Sequence, residues 1–366
     1  MRSRWRLPAL VLMSCLAWAQ YRVALPGYHY QFPRDYFAHP EFQTEWWYYT
    51  GNLQSAEGRH FGFELTFFRE ALARDQAIES AWTAEDLYFA HLAISDIDGR
   101  QFYRVERSNR AGPRIAGVDA STGTIWNGNW QVRLDGVQAQ LTAIADDFSL
   151  QLALVSKKPP VIHGENGVSQ KAEGQGRASH YISLTRLLTR GTIVLRGKQY
   201  EVTGASWMDH EFFTHQLDPD QSGWDWLSLQ FEDASELMLF RIRRRDGSVD
   251  PFSAGTYVDT SGRSVHLRKA EFELQPVHQT WTSKASGAVY PLRWHIAVPS
   301  LGIDGEVSTR LPNQEITGRT PRIPSYWEGA IIFQGSRNHG SQSGRGYLEM
   351  TGYDHPIELS RCIFPR

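Results

Sequence analysis

Cysteine is nearly absent: Cys15 and Cys362 are the two in 366 residues. The first lies in a segment that reads as removable, so no disulfide framework can hold the fold and packing must do it. Long apolar runs are scarce. After the first twenty residues no segment reaches the roughly 18 apolar residues that a membrane-spanning helix needs. Positive charge is not in excess, since 38 Lys and Arg face 40 Asp and Glu for a formal net charge of −2. No basic stripe remains to bind nucleic acid. Several chemical signatures are missing too: a glycine-rich phosphate loop with its lysine, a Gly-x-Ser-x-Gly elbow, and a cysteine pair spaced for zinc. His210-Glu211 opens like a zinc-binding helix, but the next histidine, His215, falls on another face. No metal and no other cofactor are expected. Helical periodicity is weak, with a short turn at residues 81–86 and an ambiguous stretch at 70–78.

Aromatic residues are plentiful. Thirteen Trp, fifteen Tyr and eighteen Phe make up 13% of the chain, and such residues favour strands and line pockets. The 31 Gly and 17 Pro suit a fold with many turns. At the N-terminus Arg2, Arg4 and Arg6 precede an apolar run from Leu7 to Ala19, and Ala17-Trp18-Ala19 has small residues where a signal peptidase reads. Residues 1–19 are therefore expected to be a signal peptide on an exported protein, periplasmic or secreted. Leu12-Met13-Ser14-Cys15 resembles a lipoprotein box, but the Met is atypical there and the apolar run continues past Cys15. Removing three arginines and no acids changes the net charge from −2 to −5.

The length predicts two domains. Residues 45–70 place Trp47, Tyr49, Gly51 and Leu53 before a turn at Glu57-Gly58, then alternate Phe61, Phe63, Leu65 and Phe67. That is a strand with one apolar face. Residues 223–247 repeat the plan with Trp224, Trp226, a turn near Asp233, and Leu237 to Phe240. A second match aligns Tyr181-Ile-Ser-Leu-Thr-Arg186 with Tyr347-Leu-Glu-Met-Thr-Gly352. Offsets of 177 and 166 residues point to domain duplication, because solenoid repeats run only about 20–50. The domains are expected at 20–210 and 211–366, with the junction between 200 and 223. Residues 159–176 read as a long loop. Arg241 to Arg245, interrupted by Ile242 and followed by Asp246-Gly247, reads as a solvated hairpin end.

The densest polar cluster is Trp207-Met208-Asp209-His210-Glu211-Phe212-Phe213, near that junction. In an extended strand Asp209 and Glu211 face one way and His210 the other. A carboxyl group among rings has its charged form disfavoured, which is the usual way to make a general acid at neutral pH. The same groups serve equally well as buried ion pairs between domains. Asp225 lies between Trp224 and Trp226, with the rings aimed to one face and the acid to the other. Glu45-Trp46-Trp47 and Tyr326-Trp327-Glu328 repeat the pairing of acid and indole, or form core clusters with the acid on an arginine. His91 reads as a satisfied core histidine.

These segments carry a resemblance to the AttH/CrtC family. Glu45-Trp-Trp-Tyr-Tyr-Thr-Gly51, Gly62-Phe-Glu-Leu-Thr-Phe-Phe-Arg69, Ala90-His-Leu-Ala-Ile-Ser-Asp96 and Tyr181-Ile-Ser-Leu-Thr-Arg186 contribute to it. So do Trp207-Met-Asp-His-Glu211, Gly223-Trp-Asp-Trp226, Tyr326-Trp-Glu-Gly329 and Gly346-Tyr-Leu-Glu-Met-Thr-Gly-Tyr353. The resemblance implies an all-β protein of two tandem lipocalin-like antiparallel β-barrel domains. It also implies a carotenoid 1,2-hydratase type of activity, addition of water across an isoprenoid double bond, with related members acting on other hydrophobic small molecules. Carried onto this chain, Asp225 or Glu211 is the proton donor, His210 the water-orienting base, and Asp209 the group that orients His210. Trp207, Trp224 and Trp226 shape the pocket, and Glu45, Trp47, Tyr181, Tyr326, Trp327 and Glu328 complete the substrate site. Exported relatives often follow Asp-His-Glu with Trp, where this chain has Phe212. The competing reading is a non-catalytic carrier of an apolar ligand, assisting an ABC-type export system. A secreted hydrolase would lack a recognisable nucleophile.

Overall fold

The computed structural model describes residues 21–72, 85–215, 217–317 and 325–357. The expected leader and both cysteines lie outside them, as does most of the expected turn at 81–86. Asp86 itself opens a strand.

The first sheet begins with β1 (Thr44–Ser55), β2 (His60–Ala71), β3 (Asp86–Asp96) and β4 (Gln101–Arg110). It continues through β5 (Ala116–Asp119), β6 (Thr124–Asn127), β7 (Trp130–Asp135), β8 (Gln138–Ile144) and β9 (Phe148–Ser156). Two short strands, β10 (Val161–Ile162) and β11 (Ser169–Gln170), cross the expected long loop before β12 (Ala178–Leu195) and β13 (Lys198–Phe213). The strand order β4-β3-β2-β1-β13-β12-β9-β8-β7-β6-β5 is antiparallel throughout. The sheet curls until its ends nearly meet. Asn109 Nδ2 donates to Asn127 Oδ1 at 2.6 Å and Asn127 Nδ2 to the Tyr88 carbonyl at 3.2 Å, lacing the gap with side chains.

The second sheet holds β14 (Gln221–Phe231), β15 (Glu236–Arg244), β16 (Ala254–Val258), β17 (Ser264–Arg268) and β18 (Glu273–Pro276). A separate hairpin, β19 (Thr280–Thr282) with β20 (Val289–Pro291), interrupts it. The sheet resumes with β21 (Arg293–Val298), β22 (Ile303–Ser308), β23 (Glu315–Ile316), β24 (Tyr326–Arg337) and β25 (Gly340–Thr351). Its order is β17-β16-β15-β14-β25-β24-β22-β21-β18. The molecule is thus nearly all-β, one nearly closed barrel and one half-barrel.

Burial along each strand reports its position. β7 alternates strictly, with Trp130, Val132 and Leu134 buried and Gln131, Arg133 and Asp135 exposed, because one of its faces meets water. β1 and β14 are buried on both faces. One face of each looks into its own barrel and the other meets the opposite sheet, so neither strand alternates.

The two sheets share a plan, β1-β13-β12 in one and β14-β25-β24 in the other. Tyr48 stands opposite Asp209, and Trp226 opposite Glu349. Equivalence therefore runs from Asp209 to Glu349, and from Tyr181 to Tyr326, which sit opposite Glu211 and Thr351. The sequence match between the Tyr181 and Tyr347 segments instead joins β12 to β25, strands in different places. The tryptophan match is out by one residue: Trp46, not Trp47, shares the outward face with Trp224, an offset of 178. The second misalignment is one of parity. In strands apolar on both faces, composition carries no parity.

Candidate active site

The sheets meet through their outer faces, and a cavity of about 230 Å³ lies between them. β1, β2, β3, β12 and β13 supply one wall, and β14, β15, β24 and β25 the other. Trp46, Phe68 and Phe89 line the first wall, and Trp224, Trp226 and Phe240 the second. Set into this apolar surface are six acids, Glu64, Glu70, Asp209, Glu211, Glu328 and Glu349.

Asp209 is held by three donors. Trp207 Nε1 and Tyr181 Oη each reach it at 2.6 Å, and Ser183 donates to the oxygen shared with Trp207. Tyr181 in turn accepts from Trp226 Nε1 at 2.9 Å, so both sheets build this corner. Burial pushes the Asp209 carboxyl up to about 7 against the pull of those donors. Glu211 lies two residues on, accepting from Ser179, with the Lys171 ammonium 3.4 Å away. Lys171 sits 3.8 Å over the Phe240 ring, and burial lowers its pKa.

The other end of the cavity is acidic and has little compensation. Burial raises Glu64 to about 8, opposed by Thr66, which donates to Oε1. Burial also raises Glu349 to about 7, although Trp224 Nε1 donates to its Oε2 at 3.1 Å. Glu328 is pushed well above the usual carboxylate range by burial and by its neighbours Glu349 and Glu64. Glu64 Oε2 and Glu328 Oε2 are fully buried without a hydrogen-bond partner. Glu64, raised to about 8, is thus favoured as a carboxylic acid at neutral pH, and burial shifts Glu328 in the same direction. His91, which burial pushes down to about 4, stays neutral, and its Nδ1 shares a hydrogen bond with the Tyr326 hydroxyl.

The structure divides the residues singled out from sequence. Asp209, Glu211, Tyr181, Trp224, Trp226, Tyr326 and Glu328 line the cavity, and Trp207 braces it through Asp209. His210 and Asp225 do not line it, and this corrects their expected roles as base and proton donor. Strand alternation turns His210 toward the first barrel, where Nε2 lies 2.8 Å from Glu45 Oε1. Asp225 faces the second barrel, bound by Arg243 and by Tyr353 Oη at 2.8 Å. Arg241 and Arg243 accordingly fold inward, so the expected solvated hairpin end is solvated only at Arg244 and Arg245. Glu45, Trp47 and Trp327 also belong to the barrel interiors. Trp47 Nε1 donates to the Tyr36 carbonyl at 2.9 Å and Trp327 Nε1 to the Pro312 carbonyl at 2.7 Å. Phe212 stacks on His39 at 3.6 Å and does not shape the cavity. The residues that sequence reasoning missed are Glu64, Glu349 and Lys171. A signal for two of them was present: Glu64 stands between Phe63 and Leu65, and Glu349 between Leu348 and Met350.

The fold and this site define a class of β protein in which two barrel-like sheets clasp an acid-bearing, aromatic cavity. The AttH-like family model matches residues 23–353, and the chain belongs to that family. An AttH protein from Nitrosomonas europaea is similar in structure, with a TM-score of 0.80 and 32% identity, covering 91% of this chain and 99% of that one. Kievitone hydratase from Nectria haematococca shares the fold, with a TM-score of 0.70 and 14% identity over 92% of this chain and 97% of the other. In sequence, kievitone hydratase from Fusarium solani subsp. phaseoli is 25% identical over 167 residues. That match spans 44% of this chain and 46% of the fungal protein, about half the length of each.

Proposed function

We propose that this protein is a hydratase, or in reverse a lyase, acting on a carbon–carbon double bond of an apolar small molecule held in the inter-sheet cavity. The observation that carries this reading is the set of buried carboxyl groups in an aromatic cavity, two of them with an unpartnered oxygen. Hydrating an unactivated alkene requires a group still protonated at neutral pH, tolerance of a cation, and a base for the attacking water.

Glu64 on the first wall supplies the proton. Its O–H bond breaks as a C–H bond forms at one alkene carbon, leaving positive charge on the other. The ring faces of Trp224 and Trp226 stabilise that cation through their negative quadrupoles. Water then bonds to the cationic carbon and gives its proton to Glu349 on the opposite wall. The proton returns to Glu64 between turnovers, so the sum is alkene plus water to alcohol. Membership of a family whose relatives include kievitone hydratase supports the reaction type. The protein also acts after export in this reading, its leader being residues 1–19, and N-terminal sequencing of the processed protein tests that.

The test of the chemistry is incubation with a panel of prenylated phenols and terpenoid alkenes, read by mass spectrometry for gain of water. Glu64→Gln and Glu349→Gln are each expected to lower turnover by about 10²-fold or more, while ligand quenching of tryptophan fluorescence persists. If no alkene gains water and binding responds only to Trp224 and Trp226 substitutions, the protein is a carrier and the hydratase reading fails.

A further inference from the structure

We propose that His39, Glu45 and His210 form a binding site for a divalent cation of the zinc type, on the reverse face of the strand that carries Asp209 and Glu211. Hydrogen-bond valence provides the argument. His210 Nδ1 lies 3.0 Å from the Asp35 carbonyl oxygen, which can only accept, so Nδ1 carries the ring's hydrogen. The other nitrogen, Nε2, then presents a lone pair to Glu45 Oε1 at 2.8 Å. His39 repeats the arrangement. Its Nε2 lies 3.4 Å from Asp35 Oδ1 and its Nδ1 lies 2.8 Å from the same Glu45 oxygen.

Two inward nitrogens thus converge on one carboxylate oxygen, and each outward nitrogen has its own acceptor. Something positive must lie between. Two additional protons would serve, and so would one divalent cation.

Three features favour the cation. Metal-bound histidines characteristically give their second N–H to a backbone carbonyl or a carboxylate, which is what Asp35 offers to both rings. The remaining oxygen of Glu45 is engaged by Arg69 Nε at 3.1 Å and by the His39 N–H at 2.9 Å; that N–H also reaches Oε1, at the longer distance of 3.1 Å, so Oε1 is the oxygen better placed to ligate. Two imidazoles and one carboxylate are a nitrogen-oxygen set suited to zinc and its neighbours. The three donor atoms lie within 4.8 Å of one another. A tetrahedral ion with bonds of about 2 Å needs donors about 3.3 Å apart, so each nitrogen must part from Oε1 by about half an ångström and the two nitrogens must settle at the same spacing from each other.

The site is buried. His210 and Glu45 are fully enclosed, Phe212 covers His39, and Trp47 stacks on His210 at 5.0 Å. An ion there would be acquired during folding and would pin the segment before β1 to β1 and β13. Its role is structural, since it faces away from the cavity. The spacing argument from sequence missed it because Glu45 and His210 come from neighbouring strands and His39 from the segment before β1, not from one helix.

The test uses the full chain, expressed in zinc-supplemented medium and desalted, with metal measured by plasma mass spectrometry. A second portion is unfolded in chelator and refolded with or without equimolar zinc or cobalt chloride. About one ion per chain is expected, with a lower Tm after refolding without metal and the visible bands of tetrahedral cobalt. His210→Ala should lose the ion; if that variant fails to fold, His39→Gln and the wild-type stoichiometry carry the decision. Metal content below about a tenth of an ion per chain in both preparations, with an unchanged Tm, overturns the proposal and leaves two imidazolium rings holding Glu45.

Discussion

Tyr48 on the first sheet donates its phenolic hydrogen to Glu328 Oε1 on the second, at 2.6 Å, with both side chains buried. The contact ties the two walls of the cavity together, and it is the hydrogen bond found for a carboxyl whose other oxygen has none. Tyr48→Phe is expected to cost about 1–3 kcal/mol, because it strands the Glu328 group without changing the shape of the packing. Chemical denaturation at pH 7 checks this. A change within a few tenths of a kcal/mol would mean that water enters to replace the phenol.

Stability should fall as pH rises through neutrality. Burial raises Glu64 from 4.5 to about 8, and Glu349 and Glu70 from 4.5 to about 7, while Asp209 rises from 3.8 to about 7. Between those limits the folded state holds protons that the unfolded chain has released, so unfolding free energy decreases with pH. The stabilising contribution is present below about 4 and is lost as pH climbs through 7 to 8. Glu64 alone should account for a few kcal/mol of this slope. Denaturant midpoints from pH 5 to 8.5 should show the decline, and Glu64→Gln should flatten it. A slope unchanged in that variant would mean that Glu64 is not held protonated.

Gly62 lies at a close approach of the sheets. A Cβ there would stand 2.8 Å from Ala330 Cβ and 3.3 Å from both Ser95 Cβ and the Tyr347 ring. Gly62→Ala should therefore destabilise by about 1–3 kcal/mol through overpacking, although its backbone angles suit any residue. Thermal unfolding would register this as a lowered Tm. An unchanged Tm would show that the interface yields without strain.

Glu236 on the second sheet anchors two cations of the first. Lys158 Nζ lies 2.6 Å from its Oε2 and also donates to the Ala234 and Asp259 carbonyls. Arg186 Nε binds its Oε1. Glu236→Ala should cost about 3–5 kcal/mol, because it leaves buried charge uncompensated. Adding Lys158→Met to that variant should recover part of the loss. A double variant no more stable than the single would place the cost in packing instead of charge.

The strands of the first sheet were legible where one face meets water, as in the alternation of Trp130, Val132 and Leu134 against Gln131, Arg133 and Asp135. The hairpin β12–β13 was not read from the sequence: its two-residue turn at Arg196-Gly197 takes positive φ at both residues, although only the second is a glycine. The candidate site was legible as an inventory of acids and indoles. Which of them share a cavity was not. Asp209 and Glu211 sit on its wall while His210, between them, stands behind it, and Trp224 and Trp226 face it while Asp225 does not.

The amino-acid sequence by itself determined that this is an aromatic, antiparallel β protein of the AttH-like family, since period-two patterning and motif order are local properties of the chain. Tertiary structure decided which side of each doubly buried strand became the cavity. It also brought Glu64 and Glu349 from separate sheets to opposite walls, and placed His210 with Glu45 and His39 behind them. The physical reason is parity. Where both faces of a strand are apolar, a shift of one residue exchanges barrel interior for cavity wall, and only the packing of the second sheet against the first settles which is which.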